Sequence, residues 1–389
     1  MSRYHSYLNS AKQILQSYNG EEPFASFLKK HFSANKKFGS KDRKHVSNLC
    51  YSFFRLGKAV MNTSLEEKIL AALFLCSDKP SEILAALKPD WNEKINLTIV
   101  EKLSIIDYSL LISDIFPWKK ELTDEIDHEN FCKSFFIQPD VFLRIRPDMR
   151  ESVIKKLQNA GLKFQVVDDN SLALLNATKL EDILDIDKEV VIHDLNSQRT
   201  GDYIKSQISN FKSQIKVWDC CAASGGKLIM VYDIDPNIAI TVSDIRESIL
   251  TNLKKRFQRA GIKNYKSFVA DLAKEGFEMR NAGYEVIICD APCSGSGTWS
   301  RTPEQLYFFD EDKIERYSAL QKKIVSNVIP QLQNGGSFVY ITCSVFRKEN
   351  EEIVEFIKKN FDLQLKQMEV LKGYDKKADS MFVAVFERL

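Results

Sequence analysis

The sequence predicts an α/β protein with an all-α front. Residues 1–125 read as a helical domain, 126–200 as a small α/β segment and 201–389 as a larger α/β domain on a mostly parallel sheet with helices on both faces. Three observations predict this. Up to about residue 125, apolar residues recur three and four apart with few β-branched runs, the period of amphipathic helices. Beyond 131 come short strand-like runs around one helix. From about 200, near-continuous apolar strands alternate with helices, as in a parallel sheet covered on both sides.

The front helices are "SYLNSAKQILQSY", "PFASFLKKHF", "DRKHVSNLCYSFFRLGKAV" and "LEEKILAALFLC", with Ser40 as the expected cap of the third. The acidic, polar stretch "ELTDEIDHEN" marks a boundary. In the middle segment, "DVFLRIRP" and "KFQVVDD" read as strands, and "MRESVIKKLQNAG" as a helix closed by Gly161. The last domain offers strands "QIKVWD", "NIAITVSD", "KSFVAD", "YEVIICD" and "GGSFVYITC". Between them lie helices such as "RESILTNLKKRFQRAG", and the tail "SMFVAVFERL" reads as an antiparallel strand.

Apolar content of 44% and charged content of 28% fit a soluble protein with a substantial core. No apolar run approaches a membrane span, and the first residues lack the apolar stretch of a secretion signal. The eight cysteines include no CxxC pair and do not combine with the five histidines at metal-ligand spacing, so no metal is expected. Reduced thiols and a cytoplasmic location follow as expectations. Residues 1–60 hold eleven Lys/Arg against three Asp/Glu, and residues 61–140 eight against fifteen. A basic front can attract phosphates; a solvated helix face is the plainer reading.

Four strands of the last domain end in aspartate: Asp219, Asp244, Asp271 and Asp290. In open α/β sheets ligands lie beyond the carboxyl ends of strands, so these acids are expected to line one cleft. After the first strand runs "DCCAASGGK", whose Gly225 and Gly226 let backbone approach a ligand. There is no GxGxxG and no GxxxxGK[ST], which disfavours dinucleotides and nucleoside triphosphates. An acid after the second strand suits ribose hydroxyls. S-adenosylmethionine, a nucleoside with a short charged tail, fits such a pocket. Two cysteines also sit just past strands: Cys293 in "DAPCSGSGT" and Cys343 in "TCSVF". A free cysteine is usually a small buried hydrophobe.

"DCCAASGGK", "SDI", "VAD", "DAPCSGSGTWSRTPE" and "YITCSVFRKENE" resemble, in order and spacing, the motifs of the Sun/Fmu-type RNA cytosine-5 methyltransferases. "FLRIRP" and "HDLNSQ" resemble that family's small RNA-contacting segment, and "FGSKDRKHVSNLCYSFFR" a NusB-like helical domain of its bacterial small-subunit rRNA branch. The resemblance implies an α/β Rossmann-like methyltransferase domain, S-adenosylmethionine as cofactor, RNA as partner and a monomer. It implies Cys221, Ala222, Ala223, Ser224, Gly225, Gly226, Lys227, Asp244, Asp271 and Asp290 at the cofactor, Cys343 as nucleophile and Cys293 as the releasing cysteine. The sequence departs from the family at Ser224, where proline is usual, at "LIM" after Lys227, and at Ser300 before Arg301.

The chemistry explains two thiols. A thiolate adding to C6 of cytosine makes C5 nucleophilic enough to take a methyl group, and the adduct must then be released. Asp290 is expected to face N3 of the base, with Lys227 holding it or the base. The target cytosine must be unpaired or flipped. Arg144, Arg146, Arg199 and Arg301 are candidate RNA contacts, each also readable as a solvated charge. Tyr307, Phe308 and Phe309 could stack on a base, though at least two are expected in a core. Transfer RNA as substrate, a non-catalytic RNA-binding assembly factor and a DNA cytosine methyltransferase are the competing readings.

Overall fold

The structure, a computed structural model, describes residues 2–389 except 107–108, 177, 210, 212–213, 278 and 280–282. The chain divides into two compact units. One comprises Met1–Lys120, Asp127–Gln138 and Trp299–Asp310; the other Glu121–Ile126, Pro139–Thr298 and Glu311–Leu389.

The first unit is helical. Its main helices are α1 (Arg3–Ser17), α2 (Phe24–Ala34), α3 (Ser40–Phe54) and α4 (Leu65–Cys76). Their apolar stripes meet in a core containing Ala11, Ile14, Val46, Leu49, Ile69 and Phe74, all fully buried. Ser40 is not the cap of α3 but its first residue. Gly39 stands at the cap, and its N–H donates to the Asp42 carboxylate at 2.7 Å. The segment Trp299–Asp310 completes this unit. Glu304 accepts from the Phe24 N–H, Tyr307 packs on Phe53 and Phe54, and Phe308 meets Tyr18. Phe309 lies against Trp118 and Trp299. All three aromatic residues of "YFF" therefore serve packing.

The second unit holds two sheets. The smaller, of order β2-β3-β1-β4, is antiparallel: β1 (Val141–Ile145), β2 (Phe164–Val166), β3 (Ser171–Leu174) and β4 (Val190–Ile192). Helix α5 (Arg150–Asn159) packs through Val153 and Leu157 onto Leu143 and Leu172. The larger sheet has the order β10-β11-β9-β8-β5-β6-β7. Strands β5 (Lys216–Asp219), β6 (Ala239–Asp244), β7 (Tyr265–Val269), β8 (Tyr284–Asp290) and β9 (Leu332–Thr342) are parallel. The tail β11 (Met381–Arg388) runs antiparallel to β9, as its sequence predicts, and β10 (Leu363–Leu371) pairs antiparallel with β11. Helices α6 (Leu195–Ile208), α7 (Gly226–Ile234), α8 (Glu247–Ala260), α9 (Asp312–Val328) and α10 (Glu351–Asn360) join or flank these strands.

Val217, Ile240, Val242, Val286, Ile288, Val339 and Ile341 form the centre of the sheet and are at most 2% exposed. Each fully buried aliphatic side chain of this kind contributes about 1.5–3 kcal/mol relative to exposure. From β5 the chain winds one way through β6 and β7 and the other through β8 and β9. The strand order therefore reverses at β5, and a crevice opens there beyond the carboxyl ends.

At the start of α10, Glu351 accepts a hydrogen bond from the Thr123 hydroxyl. Burial, reinforced by Asp124, pushes its carboxyl from the ordinary 4.5 up to about 7. Between those values the folded chain keeps a proton that the unfolded chain has released, so stability falls as pH rises through that window. Glu351→Gln is expected to flatten this part of the Tm–pH profile. Thermal melts with the same slope in both proteins would refute the assignment.

Candidate active site

A cavity of about 420 Å³ lies at the carboxyl ends of β5, β6 and β8. Its walls include Cys221, Ala223, Asp244, Asp271, Asp290, Cys293 and Cys343, so most of the residues expected at the cofactor or the chemistry meet there. The sequence builds this locally. Strands β5, β6 and β8 each end in an aspartate, namely Asp219, Asp244 and Asp290.

The loop 220–225 is the tightest of these turns. Ala222 N–H donates to the Ser243 carbonyl at 2.9 Å, and Ala223 N–H donates to the Asp244 carboxylate at 3.1 Å. Gly225 has φ +82°, and a Cβ there would come within 2.7 Å of Phe257. Glycine is needed at this position on both counts. Ser224 is held by Arg256, which donates to its hydroxyl at 2.8 Å and to its carbonyl at 3.1 Å. Arg256 also pairs with the fully buried Asp187, whose other oxygen takes Arg259. The side chain standing where the family usually has proline is thus fastened by an ion-pair network. Asp244 is buried and caps this arrangement from β6, while Asp271, after β7, is exposed.

Lys227, in the first turn of α7, is buried and donates to Asp290 at 2.6 Å. Burial alone would lower its pKa, but Asp290 and then Asp219 outweigh that and raise it, so the ammonium stays charged. Lys227 also donates to the Ser197 hydroxyl at 3.2 Å, and Ser197 lies 2.7 Å from His193 Nε2. Burial and the charges of Lys227, Arg144 and Arg256 hold the His193 ring neutral. A neutral ring can accept the serine proton, which leaves the Ser197 oxygen facing Lys227. Sequence reasoning missed His193 and Ser197, although both lie in the quoted "HDLNSQ"; their i, i+4 spacing gives no hint of a distant lysine.

The two strand-end thiols converge: Cys293 Sγ and Cys343 Sγ are 3.3 Å apart. The hydrogen bond to Cys343, together with burial, pushes the Cys293 thiol well above its ordinary value. A fixed scaffold carries both. The Thr342 hydroxyl donates to Asn350 at 2.6 Å, Asn350 returns a bond to the Ser344 carbonyl, and Gly297 N–H donates to the Cys343 carbonyl at 2.9 Å. Buried Glu349 accepts from Ser294 N–H, Gln321 and the Ser344 hydroxyl, tying the Cys293 loop to the Cys343 loop. A Cβ at Gly297 would fall 2.0 Å from the Ser380 carbonyl oxygen, so only glycine fits that crossing. Asp219 is buried with one carboxylate oxygen unpartnered, and burial plus the charge of Asp290 push its carboxyl far up.

The arginines fare differently. Arg144 and Arg146, expected at RNA, both turn inward to Asp233, at 2.7 Å each, and their side chains are only about a tenth exposed. Buried guanidinium groups need a counter-ion, and Arg144 on β1 and Arg146 just after it share Asp233. Asp233→Ala would leave two guanidinium groups buried and unpaired, and is expected to cost about 3–5 kcal/mol in denaturant unfolding. Arg199 is half-buried, 3.8 Å from Glu369. Arg301 is half-buried in the helical unit.

Residues 206–386 match the family model described as 16S rRNA methyltransferase RsmB/F. The chain is similar to the probable ribosomal RNA small subunit methyltransferase B of Bacillus subtilis (strain 168), 27% identical over 242 residues, covering 61% of this chain and 53% of that protein. It is similar to ribosomal RNA small subunit methyltransferase B of Proteus mirabilis (strain HI4320), 25% identical, covering 64% and 60%. The chain therefore spans about half the length of the curated relatives it matches. The fold is shared with a solved methyltransferase homolog protein from Pyrococcus horikoshii, with a TM-score of 0.59, 21% identity, and coverage of 74% of this chain and 98% of that one. No helix among the described residues is long and apolar enough to cross a membrane. Residues 206–386, with their strand-end acids and paired thiols on a mostly parallel sheet, are thus similar to the RsmB/F family of methyltransferases.

Proposed function

We propose that the protein is an S-adenosylmethionine-dependent RNA cytosine-5 methyltransferase acting on small-subunit ribosomal RNA. The observation that carries this reading is the pair of thiols 3.3 Å apart on the wall of a cavity that also holds the strand-end Asp244 and Asp290 and, just past β7, Asp271. A volume of about 420 Å³ falls within the roughly 300–1,000 Å³ of small-molecule sites. Asp244 offers carboxylate acceptors for ribose hydroxyls, and the exposed Arg246 side chain that now reaches it can swing away. When bound, the cofactor supplies an electrophilic methyl group.

The chain's own residues do the rest. The Cys343 sulfur forms a bond to C6 of the base, and the electron pair moves toward C5 and N3. Asp290, fixed by Lys227, faces N3 and shares the ammonium's proton with the developing charge. After C5 has gained the methyl group, its proton passes to a water molecule, the electron pair of that C–H bond re-forms the C5–C6 double bond, and the C6–S bond breaks so that Cys343 leaves as a thiolate. Cys293 assists that release. The basic residues 1–60 would bind RNA phosphates. Ribosomal RNA is favoured over transfer RNA because the matched family model and the relatives are described by ribosomal substrates.

The test is methyl transfer from labelled S-adenosylmethionine to small-subunit rRNA, transfer RNA and DNA, with the product nucleoside identified by mass spectrometry. 5-Methylcytosine formed in the rRNA supports the proposal. Methylation of transfer RNA alone would move the substrate. RNA binding without methylation of any of the three would favour the assembly-factor reading.

A further inference from the structure

A second thiol cluster lies apart from the Cys293–Cys343 pair. Cys220 and Cys221 follow β5, and Cys289 is the penultimate residue of β8. Parallel pairing of Asp219 with Ile288, and a Cys220 N–H donated to the Ile288 carbonyl at 3.0 Å, bring the three together. Their sulfurs all lie within 4.8 Å of one another, and those of Cys220 and Cys221 are 4.0 Å apart. All three are free thiols. Two of them, Cys220 and Cys221, also line the 420 Å³ cavity.

We propose that these three cysteines form a site for one zinc ion. Tetrahedral zinc with thiolate bonds of about 2.3 Å sets its sulfurs about 3.8 Å apart. The Cys220–Cys221 separation of 4.0 Å is close to that, and a separation at the 4.8 Å limit would have to close by about 1 Å. Thiolates select soft or borderline ions over calcium or magnesium. Among the described residues no fourth histidine, cysteine, aspartate or glutamate joins the group. Three protein ligands leave a fourth position, and the half-buried Cys221 on the cavity wall gives it an outlet to water and the ion a way in. Binding replaces three S–H bonds with three Zn–S bonds and releases three protons. The ion's two positive charges offset two of the three negative charges formed.

The site shares a wall with the proposed cofactor cavity through Cys220 and Cys221, and its test needs no turnover. The reduced full-length protein is titrated with zinc against a chromogenic chelator, and with cobalt(II), whose thiolate charge-transfer and ligand-field bands report sulfur count and geometry. One equivalent is expected in the unmutated protein and in the Cys293→Ala/Cys343→Ala double variant. It is expected to be lost in Cys221→Ala and in Cys289→Ala, with circular dichroism and thermal melting confirming that each variant folds. Cys221→Ala is the safer of the two because that side chain is only half-buried. Retention of the metal in folded cluster variants, its loss in the double variant, or no uptake by the unmutated protein in competition with the chelator would each overturn the proposal.

Discussion

Cys343→Ala is expected to abolish methyl transfer and to leave no denaturant-stable protein–RNA adduct, whereas Cys293→Ala is expected to accumulate one. The asymmetry follows from the order of bonds. Without the Cys343 sulfur nothing adds to C6, so C5 never becomes nucleophilic, and activity is lost to background. Without Cys293 the first bond still forms, but release fails and the covalent species builds up. The two sulfurs lie 3.3 Å apart, so either stands within reach of a base bound at the other, and the division of roles follows the resemblance of the two cysteine motifs. Denaturing gels after incubation with small-subunit rRNA and S-adenosylmethionine check the outcome. An adduct with Cys343→Ala, and none with Cys293→Ala, would exchange the two roles.

Asp290→Asn is expected to lower kcat by about 10²–10⁴-fold while RNA affinity changes little. The amide is nearly isosteric, so the cavity wall survives, but the ion pair with Lys227 at 2.6 Å is lost, and with it the shared proton facing N3. Lys227→Met should produce a similar loss for the same reason, and the double variant should lose far less than the product of the two. Single-turnover rates with saturating RNA separate this effect from binding. Equal, independent losses would place the two residues on different steps.

The parts of this molecule legible in its sequence are those set by local pattern. Apolar runs ending in Asp219, Asp244 and Asp290 mark parallel strands, and their carboxyl ends do meet at one cavity. The Cys293 and Cys343 motifs were readable because each follows such a run, though their 3.3 Å approach depends on the β8–β9 register. Helix α6 escaped notice because "LNSQRTGDYIKSQI" turns polar residues such as Asn196, Ser197 and Gln198 inward, contrary to the usual stripe. Arg144 and Arg146 misled for the same reason: alternating arginines on a strand look like a surface until Asp233, almost ninety residues on, supplies their counter-ion. The cluster of Cys220, Cys221 and Cys289 has no spacing signature at all, since a parallel pairing brings together residues almost seventy apart in sequence.

The stretch Trp299–Asp310 has one more consequence. It interrupts the second unit in sequence yet belongs to the helical unit in space, where Trp299 and Leu306 are fully buried. The two units are therefore interleaved along the chain rather than threaded like beads. A fragment cut to begin near residue 139 would keep every cavity-lining residue and still display a loop of orphaned aromatic side chains to water. Such a fragment would be sticky and prone to self-association. The boundary that matters for dissecting this protein is a graft within the second unit, in which the twelve residues 299–310 are replaced by a short polar linker, rather than a cut between domains.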